Sequence, residues 1–191
     1  MKLSIKSLVS ALLLCMLCIA QDKGSIRANV FREESMGLTY EFPKEFSPKI
    51  GTEMPAPFRK AKGRERFILT LWDAPQRGSA LRMAFLYDTM QRSSDRTHDT
   101  IALAYLGEVR GMWRGVKGVK MEAPTKVSQP SYDYWRLDIF APDQVPRCNS
   151  AIVVTLSDRR VLVVRAGAPS QSDLDSEVAS LARMRFDKSQ K

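Results

Sequence analysis

Two runs rich in valine and isoleucine, separated by four polar residues, constrain the fold of this chain more than any other feature. The runs cover 151–156 and 161–166, and the segment between them reads Ser157-Asp158-Arg159-Arg160. Two apolar runs joined by a short polar turn are typical of an antiparallel β-hairpin. Because both runs are almost continuously apolar, we expect each strand to be buried on both faces and to lie centrally in a sheet.

The rest of the chain alternates between strand and helix patterns. Period-two alternation predicts further strands over 37–42, 67–72, 81–87 and 134–140, and the proline- and glycine-rich segment 48–63 predicts a loop. Apolar spacings of three and four predict a helix over 99–114, with Thr97 as its N-cap and with Gly115 and Gly118 ending it. A second helix is predicted over 173–184, with Ser172 and Asp175 as its capping pair. Hairpins without strand–helix–strand crossovers favour an α+β fold, a central antiparallel sheet flanked by helices.

Glycine recurs every fourth residue along the first predicted helix. Gly107, Gly111 and Gly115 form this series, and Glu108, Arg110 and Arg114 interrupt it with charge. In an apolar span of twenty residues the same series would indicate association of helices in a membrane. Here we expect it to allow close packing of the helix on the sheet.

The first twenty residues have the pattern of a secretory signal peptide. Lys2 and Lys6 precede an apolar stretch over 8–20, which is too short to span a bilayer as a helix of about twenty residues. Cys18 and Ala20 are small residues at positions −3 and −1 of a cut before Gln21. Leucine precedes both Cys15 and Cys18, which disfavours a lipid anchor. We therefore expect export to the periplasm or beyond, and no transmembrane segment after cleavage.

The predicted organisation is a signal peptide (1–20), a flexible polar segment (21–30), a single α+β domain (31–187) and a C-terminal tail (188–191). The whole chain has 191 residues and a net charge of +9, and the leader removes two lysines, so the mature chain carries +7. Of three cysteines only Cys148 remains, which excludes an internal disulfide. We expect a monomer with a free, partly buried thiol, because the first run of the hairpin begins just beyond Cys148.

The opening and closing motifs of the domain resemble those of the PsbP-like superfamily. At the start, Phe31 is followed by the segment 37–43, which reads Gly-Leu-Thr-Tyr-Glu-Phe-Pro. At the end, a long hairpin is followed by an acidic-capped helix and a short strand at Phe186. The resemblance implies an antiparallel sheet flanked by helices and a non-catalytic role, either as an extrinsic subunit of a photosynthetic complex or as a secreted bacterial protein. Nothing in the motifs matches the photosynthetic members specifically, and no catalytic residue set is implied.

Few residues suggest catalysis. His98 is the only histidine, and a solvated imidazole beside an N-cap is the simplest interpretation. Cys148 follows Arg147, whose charge could lower the pKa of the thiol. A secreted hydrolase or thiol enzyme that uses Cys148 and His98 as a dyad is the alternative function, but no local signature accompanies the cysteine. No P-loop, GxSxG, HExxH, CxxC or EF-hand spacing occurs. We therefore predict neither a cofactor nor a metal site.

A basic loop is the most suggestive binding feature. Five positive charges fall within eight positions, at Arg59, Lys60, Lys62, Arg64 and Arg66. Arg110, Arg114 and Lys117 also share one helical face. Such clusters bind anionic partners, although charged runs also serve solubility alone. The sequence favours an exported, non-catalytic binding or accessory domain whose partner is a protein or an anionic envelope component. Nucleic acid is disfavoured by the expected location.

Overall fold

The computed structural model describes residues 24–51, 66–73, 80–89, 97–157 and 160–187. Within these residues the chain forms twelve β-strands, two α-helices and two short 3-10 helices. The helices are α1 (His98–Trp113) and α2 (Gln171–Ser180), with 3-10 turns at Glu34–Met36 and Leu181–Arg183. The strands are β1 (Ser25–Arg27), β2 (Val30–Glu33), β3 (Leu38–Glu41), β4 (Phe46–Lys49), β5 (Arg66–Asp73), β6 (Leu81–Thr89), β7 (Lys120–Met121), β8 (Thr125–Ser128), β9 (Asp133–Phe140), β10 (Cys148–Thr155), β11 (Arg160–Ala168) and β12 (Met184–Phe186).

An antiparallel sheet of eight strands forms the centre of the described domain. Its order is β4-β5-β6-β11-β10-β9-β7, and β8 pairs with β9 along the same edge as β7. The predicted hairpin is β10 and β11, in which Ile152 lies opposite Val164 and Val153 lies opposite Val163. Both strands have neighbours on both sides. The prediction that they are central is confirmed.

Alternate residues of the central strands face two separate hydrophobic cores. On β10, Ile152 and Val154 belong to the core on one face, and Ala151 and Val153 belong to the core on the other. This double burial explains the continuous apolar runs, because each face of these strands packs against a hydrophobic core. The second core lies beneath α1, which packs across β9 and β10 and buries Ile101, Ala102, Tyr105, Leu106 and Val109.

A small second sheet covers the opposite face together with α2. Its order is β1-β2-β3-β12, and it brings the N- and C-terminal parts of the described domain side by side. Phe31, Leu38 and Tyr40 are almost fully buried beneath it, next to Leu174 and Val178 of α2. The predicted antiparallel α+β fold is confirmed. The expectation of helices on both faces is only partly met, because strands share this face with a single short helix.

Local capping explains where both helices begin. The side chain of Thr97 accepts a hydrogen bond from the backbone N–H of Thr100, as predicted for the start of α1. The cap of α2 is Ser170, which accepts from the N–H of Asp173, so the predicted cap at Ser172 is wrong by two residues. The spacing Ser-x-x-Asp occurs twice in this segment, and the first copy forms the cap.

Three other expectations need correction. Part of the segment predicted to be flexible (21–30) forms β1, which pairs with β2. The predicted loop over 48–63 is wrong at its first two residues, since Pro48 and Lys49 end β4. Proline has no backbone N–H to donate. An edge strand tolerates Pro48 because a backbone group on its outer side has no neighbouring strand to bond. Gly107 and Gly111 do not pack on the sheet, because a Cβ atom at either position would meet nothing within 4 Å.

The predictions for the two ends of the chain concern residues that the structure does not describe. The signal peptide (1–20) and the tail (188–191) lie outside the described residues. Among the residues that are described, none of the helices has the length and apolar character needed to cross a membrane.

Candidate functional site

The predicted basic loop lies largely beyond the described residues. Arg59, Lys60, Lys62 and Arg64 belong to that part of the chain, and Arg66 is the first residue of β5. Of the second basic group, Arg110 lies in the last turn of α1, and Arg114 and Lys117 follow in the turn after it. All three are exposed to solvent.

Cys148 and His98 lie at opposite ends of the same strand. Cys148 begins β10, whereas the hydroxyl of Thr155 at the end of β10 donates to the carbonyl of His98 at 3.0 Å. Seven residues of extended strand place the two ends about 23 Å apart at 3.3 Å per residue. The dyad is therefore wrong, because a thiol and an imidazole must be within hydrogen-bond reach to act together.

The thiol itself is buried and unactivated. Cys148 is 4% exposed and forms no disulfide within the described residues. Burial raises the pKa of the thiol, the carboxylate of Asp138 raises it further, and Arg147 offsets only part of this effect. The suggestion that Arg147 activates the thiol is therefore wrong. A buried, protonated thiol acts as a small apolar side chain.

An open groove lies on the α1 face of the sheet, at the end where α1 finishes. We call it the apolar groove, and its volume is about 1080 Å³. One wall is the last turn of α1, the other is the paired ends of β5 and β6, and the segment before β10 closes one side. The apolar side chains that line it are Trp72, Leu81, Val109, Met112, Trp113, Val116, Ile139, Val145 and Pro146.

The groove exists because α1 covers only part of the sheet. The helix packs across β9 and β10, which leaves the neighbouring ends of β11 and β6 uncovered. Two small residues form the floor there, Ala151 and Gly167. Gly167 is required by packing, because a Cβ atom at this position would lie 2.5 Å from the ring of Pro146.

Arginine side chains line the groove among these apolar groups. Arg165 extends from the central strand β11 and is half-buried, Arg147 is exposed beside β10, and Arg82 lies at the start of β6. Arg82 is the extra residue of a β-bulge, since Leu71 pairs with Met83 and Trp72 pairs with Leu81. Bulges commonly redirect a side chain.

Arg82 connects the groove to a buried carboxylate. Its guanidinium lies 3.3 Å from Asp73 and 2.7 Å from Glu177 of α2. Glu177 is 5% exposed, and its second carboxylate oxygen has no hydrogen-bond partner among the described residues. Burial raises the pKa of Glu177 to about 8, and the charge of Arg82 lowers it only in part.

A smaller, polar pocket lies at the opposite end of the central strands, where α1 begins. Its volume is about 410 Å³. Asp99 accepts hydrogen bonds from Trp135 at 2.9 Å and from Lys126 at 3.0 Å. The bond from Trp135, followed by that from Lys126, lowers the pKa of Asp99. His98 lines this pocket but is exposed.

The side chains that the structure describes were compared with the needs of a metal site. Across the described ranges, no group of three or more His, Cys, Asp or Glu side chains lies close enough together to hold a metal ion. The sequence patterns did not point to the groove, because its lining comes from five strands, one helix and several connecting segments. The nearest signal was the apolar spacing of α1, which continues to the exposed Met112.

The fold has a counterpart among solved structures. The chain is similar to the solution structure of cyanobacterial PsbP (CyanoP) from Synechocystis sp. PCC 6803, with a TM-score of 0.51 and 12% sequence identity. The match covers 85% of this chain and 95% of that chain. Comparison of the sequence with protein-family models and with curated proteins finds no match. The likeness lies in the fold rather than in the sequence, and the chain has a PsbP-like fold.

Proposed function

We propose that this protein is an exported, monomeric, non-catalytic accessory domain that acts by binding a component of the cell envelope. The observation that carries the proposal is the apolar groove, in which Met112 and Val145 are 58% and 97% exposed. Monomeric domains rarely leave contiguous apolar surface in water unless a partner covers it. The distance between Cys148 and His98 argues against the alternative enzyme.

Site-specific photo-crosslinking in the native envelope tests this function. A photoreactive phenylalanine derivative at position 145 is expected to form an adduct, because Val145 stands at the edge of the groove. The matched control replaces Arg160, which is exposed and lines the polar pocket at the other end. Adducts from both positions in equal yield, or from neither, would contradict binding through the groove.

The location is supported by the leader sequence and can be measured directly. The mature protein is expected to begin at Gln21. Intact-mass measurement of protein from envelope fractions decides this, and retention of residues 1–20 would contradict export.

We also propose that the basic loop of Arg59, Lys60, Lys62, Arg64 and Arg66 contributes a separate contact with anionic surfaces. Clustered charges on one segment can engage a polyanion together, and each contact is sensitive to salt. The test replaces Arg59, Lys60, Lys62 and Arg64 with Gln and measures binding to heparin or anionic vesicles across a salt series. A control variant loses the same charge at Arg92, Arg96, Lys188 and Lys191. Equal loss of affinity in both variants would refute a special role for the loop.

A further inference from the structure

The methionines that the structure describes differ widely in their exposure to solvent. Met36, Met83 and Met184 are buried in the core that the small sheet covers, and Met121 is partly buried against the other core. Met112, in the last turn of α1, is 58% exposed. Peroxides oxidise the soft sulfur of a thioether, and they must reach it to react. The fold therefore directs a peroxide in solution to Met112.

The buried sulfur atoms are shielded from the same reaction. The sulfur of Met83 lies 3.9 Å from the hydroxyl of Tyr40, which donates to it inside the core. The thiol of Cys148 is buried, and burial raises its pKa, so little of the reactive thiolate forms. Met112 is thus the most exposed sulfur group among the residues that the structure describes.

Met112 also lies where a change of polarity affects the apolar groove. Three of the exposed large apolar side chains that the structure describes line this groove, namely Met112, Val116 and Val145. Valine side chains are saturated hydrocarbons that peroxides leave unchanged, so of these three only Met112 can become polar. A sulfoxide oxygen accepts hydrogen bonds strongly, and covering it with an apolar surface is unfavourable. In the free protein this oxygen can remain in water.

We infer that Met112 is an oxidation site at which a hydroperoxide converts the thioether into a sulfoxide and thereby weakens binding through the apolar groove. The sulfur bonds to one peroxide oxygen as the O–O bond breaks. The sulfur loses two electrons, and the second oxygen takes up a proton and leaves as water or an alcohol. Two thiols reverse the change, because they reduce the sulfoxide and leave as a disulfide together with water. The inference rests on the proposed function and adds its regulation.

Peptide mapping tests whether the fold selects Met112. The mature chain is treated briefly with hydrogen peroxide, and mass spectrometry measures the oxygen gained at each methionine. Met112 is expected to react at least about tenfold faster than Met83 or Met184, because only Met112 is accessible. In urea that unfolds the protein, the three rates should become similar. Equal rates in the folded protein would overturn the inference.

Photo-crosslinking from position 145 tests the effect on binding. Purified protein with the photoreactive side chain is oxidised at Met112, freed of peroxide and added to native envelope fractions. The adduct yield is expected to fall about tenfold, the scale of covering one polar group that lacks a partner. Two methionine sulfoxide reductases, one for each sulfoxide epimer, should restore the yield with dithiothreitol as the electron donor.

Matched variants assign the loss to this one position. Met112→Leu keeps an apolar side chain of similar volume without sulfur, so peroxide should change its adduct yield less than about twofold. Adding Leu103→Met to that variant places an oxidisable side chain on α1 outside the groove, and its oxidation should have equally little effect. Met112→Gln is uncharged and polar like the sulfoxide, and it should lower the yield without peroxide.

The outcomes distinguish this inference from the proposed function. Selective oxidation of Met112 with no change in adduct yield would refute the inference and leave the proposed function standing. Equal loss of adducts in wild type and Met112→Leu would do the same. A large fall in melting temperature on oxidation of Met112 would also refute it, because the core rather than the groove surface would have changed. Absence of adducts from the unoxidised protein would refute both, since no binding through the groove would exist to be weakened.

Discussion

The two ends of the central strands differ in chemistry although the same strands run through both. Where α1 begins, Asp99, Lys126 and Trp135 satisfy one another through hydrogen bonds of 2.9–3.0 Å. Where α1 finishes, apolar side chains stand open to water beside arginines that lie on the sheet and at its edge. A site that satisfies its own polar groups gains little from a ligand. A site that exposes apolar surface gains free energy when a ligand removes that surface from water.

The same contrast holds for the charged groups beneath each end. The pair of Asp99 and Lys126 is 46% and 41% exposed, so water screens it. Glu177 beneath the groove is buried with one unpaired oxygen. We therefore expect the groove end, and not the polar end, to control how the stability of the protein responds to pH near neutrality.

The largest expected effect is loss of stability as pH rises from 5 to 8. Burial raises the folded-state pKa of Glu177 to about 8, above its ordinary value of 4.5, so the folded protein holds a proton that the unfolded chain has released. This contribution is complete below pH 4.5 and is lost as pH rises through 8. The free energy of unfolding should fall by about 3 kcal/mol between pH 5 and 8, at 1.36 kcal/mol per pKa unit.

Urea unfolding at several pH values measures this effect. The Glu177→Gln variant keeps the shape of the side chain and should flatten the dependence. The same slope in wild type and variant would show that Glu177 does not control it.

A methyl group added to the groove floor is expected to have the next largest effect. Gly167→Ala places a Cβ atom 2.5 Å from the ring of Pro146, so the segment before β10 must shift. We expect a loss of about 2 kcal/mol, the range for overpacking a tight contact. Thermal and urea denaturation measure it, and wild-type stability would mean that Pro146 moves freely.

The identical substitution on the outer face of α1 should have the opposite sign. Gly107→Ala and Gly111→Ala meet nothing within 4 Å, so only helix propensity changes. Each should raise the free energy of unfolding by about 1 kcal/mol. A loss of stability in either variant would indicate that a partner or another segment packs against this face.

The smallest effect is expected at the polar end. Lys126→Met removes an exposed ion pair and should leave the melting temperature nearly unchanged, because exposed pairs contribute little. The local consequence is electrostatic: the pKa of Asp99 should rise toward its ordinary value, since Lys126 helps to lower it. NMR titration of the Asp99 carboxyl measures this shift. A large drop in melting temperature would contradict the contrast between the two ends.

Features encoded by neighbouring residues were predictable from the sequence. The hairpin of β10 and β11 follows from two apolar runs joined by a short polar turn. The Thr97 cap of α1 follows from a hydrogen bond to a residue three positions along the chain. Where the local signal occurs twice, as with the caps at Ser170 and Ser172, it does not decide between the copies. Short edge strands such as β1 and β4 carry too few residues to show a period.

The candidate site depends on contacts between residues that are distant in the sequence. Arg82 reaches Glu177 because a bulge redirects it and because α2 packs over β10 and β11, and no pattern along the chain encodes that meeting. The groove likewise forms where α1 stops short of β6 and β11. Its size depends on how much of the sheet the helix covers, and this is decided by how the two elements pack. Local patterns therefore specified the strands and helices of this protein. Long-range packing specified the surface that remains open for binding, because the burial of each side chain depends on neighbours from the whole domain.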